Sequence, residues 1–249
     1  MSLKDKVVVI TGGTSGIGLA TAKKFLAEGA KVMIAGTREE KAKKVAEEIG
    51  TIGQNILYTA VDVSDYKSVE NMINKAVDEF GTVDILFNNA GITLSKPLLD
   101  QTEEDYLRVI GVNQHGVFNG IHIFGKKLVE LNKKGTIINT ASTAARMTGP
   151  TIIGYATSKA AVEMLTKSAA MDLAPYGIRV VAVGPGAINT PMIAEMKKER
   201  LQYLKNMHAR KELIEPEEIA NVVVFLAKEE ANGINGQVVF VDDGYINFK

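Results

Sequence analysis

Short, strongly apolar runs alternate along this chain with longer stretches in which apolar and polar positions recur at helical spacing. The short runs are Val7–Thr11, Lys31–Ala35, Ile56–Val61, Ile85–Asn88, Thr136–Thr140, Ile178–Val183 and Gln237–Val241. Several are apolar on both faces, as strands in the middle of a parallel sheet must be. Amphipathic helical patterns occupy residues 16–28, 38–49, 66–80, 103–131, 155–174 and 216–227. This alternation predicts an α/β fold: a Rossmann-like, doubly wound, seven-stranded parallel sheet with helices on both faces. No internal repeat, low-complexity tract or linker divides the chain, so residues 1–249 are expected to form a single domain. One interval breaks the rhythm. Residues 187–213, between the sixth strand and the next helix, are rich in Met, Lys and Glu. An insertion of this size at a strand's carboxyl end is where a substrate lid is built.

Composition narrows the function classes. With 249 residues, 46% of them hydrophobic and 23% charged, the chain can bury a sizeable core without staples. It has no cysteine, which excludes disulfides, thiolate nucleophiles and cysteine metal sites. His115, His122 and His208 are not at metal-ligand spacing, so each is expected to be satisfied or solvated, and no metal is expected. A formal net charge of zero argues against a nucleic-acid partner. The start, Met-Ser-Leu-Lys-Asp-Lys, lacks a signal peptide's apolar core, and no run approaches the ~20 apolar residues of a membrane span. A cytoplasmic protein with no membrane partner is expected.

The first strand runs into Thr11-Gly12-Gly13-Thr14-Ser15-Gly16-Ile17-Gly18, and a helix follows. Gly12 permits a sharp turn. Gly16 and Gly18 let backbone approach a pyrophosphate and let helix pack on strand, while the helix N-terminus offers free N–H groups to phosphate. No Gly-Lys-Ser/Thr ending follows, which argues against a nucleoside triphosphate loop.

A second cluster carries chemistry. Tyr155 and Lys159 are four apart, so on a helix they share one face. Ser142 lies just beyond the strand Thr136–Thr140, and a strand end and the following helix can bring all three to one carbonyl. Carbonyl reduction needs a proton donor and a group to polarise the oxygen. A tyrosine, with its ordinary pKa of ~10, must be brought down by roughly three units, or about 4 kcal/mol, to work at neutral pH. A nearby ammonium such as Lys159, together with the positive charge of an oxidised nicotinamide, is the kind of partner that supplies this.

The spacing of Gly12, Gly16 and Gly18 behind Thr11 resembles the signature of the short-chain dehydrogenase/reductase family, and the resemblance covers essentially the whole chain. It is closest in overall look to bacterial 3-oxoacyl-carrier-protein reductases and to hydroxysteroid or alcohol dehydrogenases. It implies that Thr14, Ser15 and Ile17 belong to the cofactor turn with the glycines. Asp62-Val63 would hold the adenine ring, and Asn88-Asn89-Ala90-Gly91 would stabilise the central sheet and line the cofactor cleft. Pro185-Gly186, with Ile188 and Thr190 after them, would contact the nicotinamide side. Tyr155 would be the general acid in reduction and the base in oxidation. Lys159 would lower its pKa and hold the nicotinamide ribose, Ser142 would bond the substrate oxygen, and Asn113 would position a water in the proton relay to Lys159. A homotetramer paired through helices 103–131 and 155–174 and the last strand is implied as well. At Val241-Asp242-Asp243-Gly244 the chain departs from the family's more usual Asp-Gly-Gly, so Asp243 is expected to alter that turn.

The end of the second strand bears on the cofactor. Ala35-Gly36-Thr37-Arg38 has no acid to bind ribose hydroxyls, and Arg38 suits a 2′-phosphate. NADP(H) is expected, with NAD(H) the alternative, since Ser15 stands where many NADP-using members carry a basic residue. The partner is a small-molecule carbonyl or alcohol. The expected pocket lining is Thr93, Leu94, Thr143, Ala144, Arg146, Met147, Ile152, Ile153 and the 187–213 segment. Its largely apolar character favours a hydrophobic ketone or secondary alcohol. Arg146 is read as a rim or surface residue and only secondarily as an anion site. Lys197, Lys198, Arg200 and Lys205 are read as a solvated helix face and only secondarily as a patch attracting an acidic carrier or a phosphopantetheine-bearing partner. Two rivals are an isomerase or dehydratase on the same fold, expected to need a longer C-terminal substrate region, and a non-catalytic dinucleotide sensor. A sensor is expected to have lost one of Ser142, Tyr155 or Lys159.

Overall fold

A computed structural model describes residues 3–194 and 196–247. Seven strands form one parallel sheet: β1 (Val7–Thr11), β2 (Lys31–Gly36), β3 (Ile56–Ala60), β4 (Ile85–Asn88), β5 (Gly135–Thr140), β6 (Ile178–Pro185) and β7 (Val238–Val241). Their order is β3-β2-β1-β4-β5-β6-β7. Chain direction across the sheet therefore reverses between β1 and β4, which pair with Val8 opposite Ile85 and Ile10 opposite Phe87. In such a sheet the crevice beyond the carboxyl ends at the reversal is where ligands bind.

The main helices are α1 (Gly16–Ala27), α2 (Glu39–Ile49), α3 (Tyr66–Phe80), α4 (Glu103–Ile110), α5 (Gly116–Glu130), α6 (Ile153–Leu173), α7 (Pro191–Ala194), α8 (Lys198–Met207) and α9 (Pro216–Ala227). Alternate strand residues feed opposite layers, as the two-residue period requires. Val7 and Val9 of β1 pack with Met72 and Ile73 of α3, Phe124 of α5 and Val162 of α6. Val8 and Ile10 pack on the other side with Phe25 of α1, Val45 of α2 and Val223 of α9. Both faces are covered, which explains why the central runs carry no polar alternation.

The helix expected at 103–131 runs without a break from Glu103 to Glu130, but it widens between α4 and α5 into a π turn, Gly111–His115. Sequence periodicity cannot register this, because one extra residue per turn leaves the apolar spacing on either side intact. The cause is local and polar: Asn113 is fully buried in that turn and bonds outside the helix, as described next. Such turns inside helices are often functional.

Candidate active site

The glycine turn after β1 is held from the neighbouring strand. The Thr11 hydroxyl accepts from the backbone N–H groups of Asn89 and Ala90, both at 3.0 Å. The Asn89 amide donates to the carbonyls of Thr11 (3.1 Å) and Gly12 (3.2 Å). Gly12 has φ +65°, the left-handed region that glycine tolerates. A Cβ on Gly18 would stand 2.2 Å from the Gly12 carbonyl oxygen, so this glycine lets α1 seat directly on the turn. Ser15 at the start of α1 gives no side-chain cap, and the first turn of α1 holds no acid. Its leading N–H groups therefore remain available to an anion.

Thr140 to Ser142, at the end of β5, form the facing wall. Lys159 is buried, and its ammonium donates to the Thr140 carbonyl at 2.7 Å and stands 5.7 Å from the centre of the Tyr155 ring. Ser142 is buried; its hydroxyl accepts from the Ala144 N–H and lies near enough to the Tyr155 phenol to favour its ionised form. The buried hydroxyl of Thr140, in the same wall, has no partner among the described residues. Asn113 reaches in from the π turn. Its side chain accepts from the Ile92 N–H at 2.8 Å and donates to the Ile92 carbonyl at 2.9 Å and to Ser158 at 3.1 Å. Ser158 in turn donates to the Tyr155 carbonyl at 2.7 Å. A Cβ built on Gly91 would lie 3.4 Å from the Asn113 oxygen and 3.7 Å from the Lys159 ammonium, so one strand-end loop touches both.

A single cleft gathers Gly12, Ser15, Gly16, Ile17, Asn89, Ala90, Gly91, Ser142, Tyr155, Lys159, Pro185, Gly186, Ile188 and Thr190. Asn113 lies just behind its floor. Thr14, Gly18, Thr37, Arg38, Asp62 and Val63 fall outside it. Thr14 packs against Gly36 at the end of β2. Thr37 and Arg38 are exposed ahead of α2. Asp62 is exposed with its carboxylate accepting from the Ser64 N–H and hydroxyl, and Val63 is buried against Gly116.

Burial raises the Tyr155 phenol above its ordinary value near 10, and the Ser142 hydroxyl is the side chain that pulls it back. Burial also pushes the Lys159 ammonium down to about 8. The expected lowering of the phenol by Lys159 is therefore not a property of the polypeptide alone. Removing both groups from water disfavours the charged form of each, phenolate and ammonium alike.

Among the expected pocket residues, Thr93, Thr143, Ala144, Met147 and Ile152 line the cleft. Leu94, Arg146 and Ile153 do not. Arg146 pairs with Glu163 at 3.1 Å and lies over the Phe240 ring at 4.6 Å, with its charge spent on α6 and β7. From the 187–213 segment, Met192, Ile193, Met196, Arg200, Tyr203, Leu204 and Met207 complete the wall, joined by Tyr245 near the C-terminus.

Sequence reasoning missed Ser158, Tyr245 and the part played by His208. The clue for Ser158 was its place between Tyr155 and Lys159 on the inward face of α6. His208 is buried; it accepts from the Ala187 N–H at 3.1 Å, and its other ring nitrogen bonds the Glu212 carbonyl. It thus ties the end of the 187–213 segment to β6. Asp243 does keep its turn in the left-handed region, at φ +45°. Its carboxylate compensates by accepting from the Arg210 N–H at 2.7 Å.

The family model described as enoyl-(acyl carrier protein) reductase matches residues 12–246. An L-2,3-butanediol dehydrogenase of Corynebacterium glutamicum is 38% identical, over 97% of this chain and 99% of its own. An NADP-dependent (R)-specific alcohol dehydrogenase of Lentilactobacillus kefiri is 36% identical, over 98% and 97% respectively. A short-chain type dehydrogenase/reductase structure from Mycobacterium marinum superposes with a TM-score of 0.94 at 31% identity, covering 99% of this chain and 97% of that one.

The chain belongs to the short-chain dehydrogenase/reductase family.

As a short-chain dehydrogenase it is an NAD(P)-dependent oxidoreductase with the Rossmann-like architecture expected of the sequence. A further structural relative of this dehydrogenase is the 3-ketoacyl-(acyl-carrier-protein) reductase of Brucella melitensis complexed with NADH. It is 34% identical, with a TM-score of 0.91, over 98% of this chain and 100% of that one. Among the described residues, no helix is long and apolar enough to cross a membrane.

Proposed function

We propose that this protein interconverts a ketone and a secondary alcohol, with Tyr155 as the general acid in reduction and the base in oxidation. The observation that carries the reading is the meeting of Tyr155, Ser142 and Lys159 on one wall of a cleft whose other wall is a glycine turn and an uncapped helix N-terminus. Bound there, a nicotinamide dinucleotide supplies the hydride. Gly12, Ser15, Gly16 and Ile17 would hold its pyrophosphate, Asn89 to Gly91 its middle, and Pro185, Gly186, Ile188 and Thr190 its nicotinamide side. The Ser142 hydroxyl bonds the substrate oxygen, and the Tyr155 phenol delivers the proton to that atom. Lys159, fixed by the Thr140 carbonyl, holds the ribose and feeds the phenol, with Asn113 behind it ordering the relay.

NADP(H) is the preferred cofactor in this reading. Arg38, at the N-terminus of α2 just beyond β2, has no ionic partner among the described residues and is exposed, available to a 2′-phosphate. Residues 187–213 act as the substrate lid. The working form is a cytoplasmic homotetramer. Exposed Phe118 on α5 and Met164 and Met171 on α6 support pairing through those helices.

The deciding experiment is a panel of simple ketones, 3-oxoacyl thioesters and ketosteroids with NADPH and NADH, followed at the reduced-nicotinamide absorbance band. Oxidation of NADPH with at least one class is expected. Silence across the panel, and in the reverse direction with the matching alcohols, would overturn the proposal.

A further inference from the structure

Among the described residues lining the cleft, two carry charge and both are cationic: Lys159 and Arg200. Among those described residues no carboxylate lines it. Lys159 is occupied by the Thr140 carbonyl and sits beside Tyr155. Arg200, on α8, has no such occupation. Its guanidinium carbon lies over the Tyr203 ring, 5.3 Å from the ring centre. One terminal nitrogen lies 3.5 Å from where a Cβ on Gly149 would stand. Among the described residues no carboxylate pairs with it. Arg146 and Arg210 differ in this respect, since they pair with Glu163 and Glu218.

The surroundings sharpen the contrast. Met147, Ile152, Met192, Met196 and Leu204 give the cleft an apolar wall that would suit a hydrocarbon body. An unpaired guanidinium beside such a wall is a poor fit for a wholly neutral ligand. The planar fork matches carboxylate or phosphate with two parallel hydrogen bonds. A cation–π contact with Tyr203 favours this placement of the guanidinium before a ligand arrives, which lowers the ordering cost of binding. Residues 196–207 also carry four basic side chains (Lys197, Lys198, Arg200, Lys205) against one acid, Glu199, so this stretch of the lid segment has a net positive charge.

We propose that Arg200 anchors an anionic group of the substrate, so that the compound reduced or oxidised has an apolar body between its carbonyl or carbinol carbon and a terminal carboxylate or phosphate. The inference rests on the carbonyl-reductase reading above and names its substrate class. Arg200 grips the anion, the methionine-rich wall covers the chain, and the far end reaches Ser142 and Tyr155. A plain ketone lacks the group that Arg200 would hold.

The test uses matched substrates with NADPH: 5-oxohexanoate and 7-oxooctanoate, their methyl esters, and 6-oxoheptyl phosphate, on wild type, Arg200→Leu and Arg200→Lys. Wild type should prefer anion over ester by about 10- to 100-fold in kcat/KM, mostly through KM, the range of a charge-assisted hydrogen-bond pair. In Arg200→Leu the preference should collapse to within about three-fold, and Arg200→Lys should recover part of it. The carboxylate and phosphate arms then say which anion fits better. Calorimetric titration of hexanoate against hexanamide reads the anchor without turnover; Arg200-dependent hexanoate binding is expected. Acid and ester used equally by wild type, or a preference that survives in Arg200→Leu, would overturn the anchor and leave the reductase reading standing. No turnover of any carbonyl, with Arg200-dependent hexanoate binding, would overturn the reductase reading and leave the anchor. Failure of both readouts would overturn both.

Discussion

The Asn113 side chain closes a two-point clamp on Ile92: it accepts from the backbone N–H at 2.8 Å and donates to the backbone carbonyl at 2.9 Å. A side-chain amide thus takes the place of a neighbouring strand for one residue of the loop after β4. Asn113→Ala leaves both backbone groups without that partner, in a partly buried position. A loss of about 1–3 kcal/mol is expected, read as a lower urea midpoint. Because the same clamp sets Gly91 against Lys159, kcat should fall further than KM rises. Unchanged kcat in a folded Asn113→Ala protein would remove Asn113 from the relay.

Tyr155→Phe removes one oxygen and preserves the ring. Turnover should fall by about 10²- to 10⁴-fold, the usual contribution of a positioned acid–base group. NADPH binding, followed by nicotinamide fluorescence, should persist. Turnover near wild type would end the assignment of the phenol.

Lys159 gives a stability signature with a defined sign. Unfolded, it holds its proton to its ordinary value of 10.5; folded, it releases it near 8. Between those values the unfolded chain binds more protons, so the contribution of Lys159 rises with pH. The cost of the buried ammonium is complete below about pH 8 and is progressively relieved towards 10.5. The stability of wild type relative to Lys159→Met should therefore improve by up to about 3 kcal/mol across that window. Urea unfolding of both proteins at about pH 7 and about pH 10 measures it, and a pH-independent difference would refute it.

Arg38→Ala removes an exposed cation with no ionic partner among the described residues. The NADPH-to-NADH affinity ratio should drop by about ten-fold or more, as loss of a phosphate-bound guanidinium predicts. A ratio equal to that of wild type would leave NADP preference without its reason.

Gly18→Ala places a methyl group 2.2 Å from the Gly12 carbonyl oxygen and 2.7 Å from the Asn89 amide nitrogen. Neither neighbour can yield without opening the turn. Destabilisation of about 1–3 kcal/mol or more, with loss of dinucleotide binding, is expected. Gly233→Ala, where nothing lies within 4 Å, should change stability by about 0.5 kcal/mol or less. Equal melting temperatures for the two variants would contradict the packing argument.

Much of this was legible in the chain. Strand stretches such as Val7–Ile10 and Val180–Val183 are apolar on both faces because both faces are covered, and that pattern survives without any knowledge of partners. The glycine turn was legible because backbone conformation and close approach leave glycine as the residue that fits there. Tyr155 and Lys159 were legible because a four-residue spacing on a helix is a fixed geometry. The turn at Asn113 was not, since an inserted helical residue shifts hydrogen bonds while the apolar period continues. In the sequence Arg146 was the arginine weighed as an anion site and Arg200 one of a basic helix face; their neighbours decide otherwise, Glu163 and Phe240 for Arg146, and for Arg200 Tyr203 and a cleft with no carboxylate among its described residues.

The sequence by itself determined the layered parallel sheet, the phosphate turn and the pairing of a phenol with an ammonium. These follow from local periodicity and from conformational limits carried by single residues. Tertiary structure decided which charges are spent and which are free, which side chains share the cleft, and how burial moves Tyr155 and Lys159. Those depend on contacts between residues far apart in the chain and on how much water each group loses, and neither quantity is written in a local pattern.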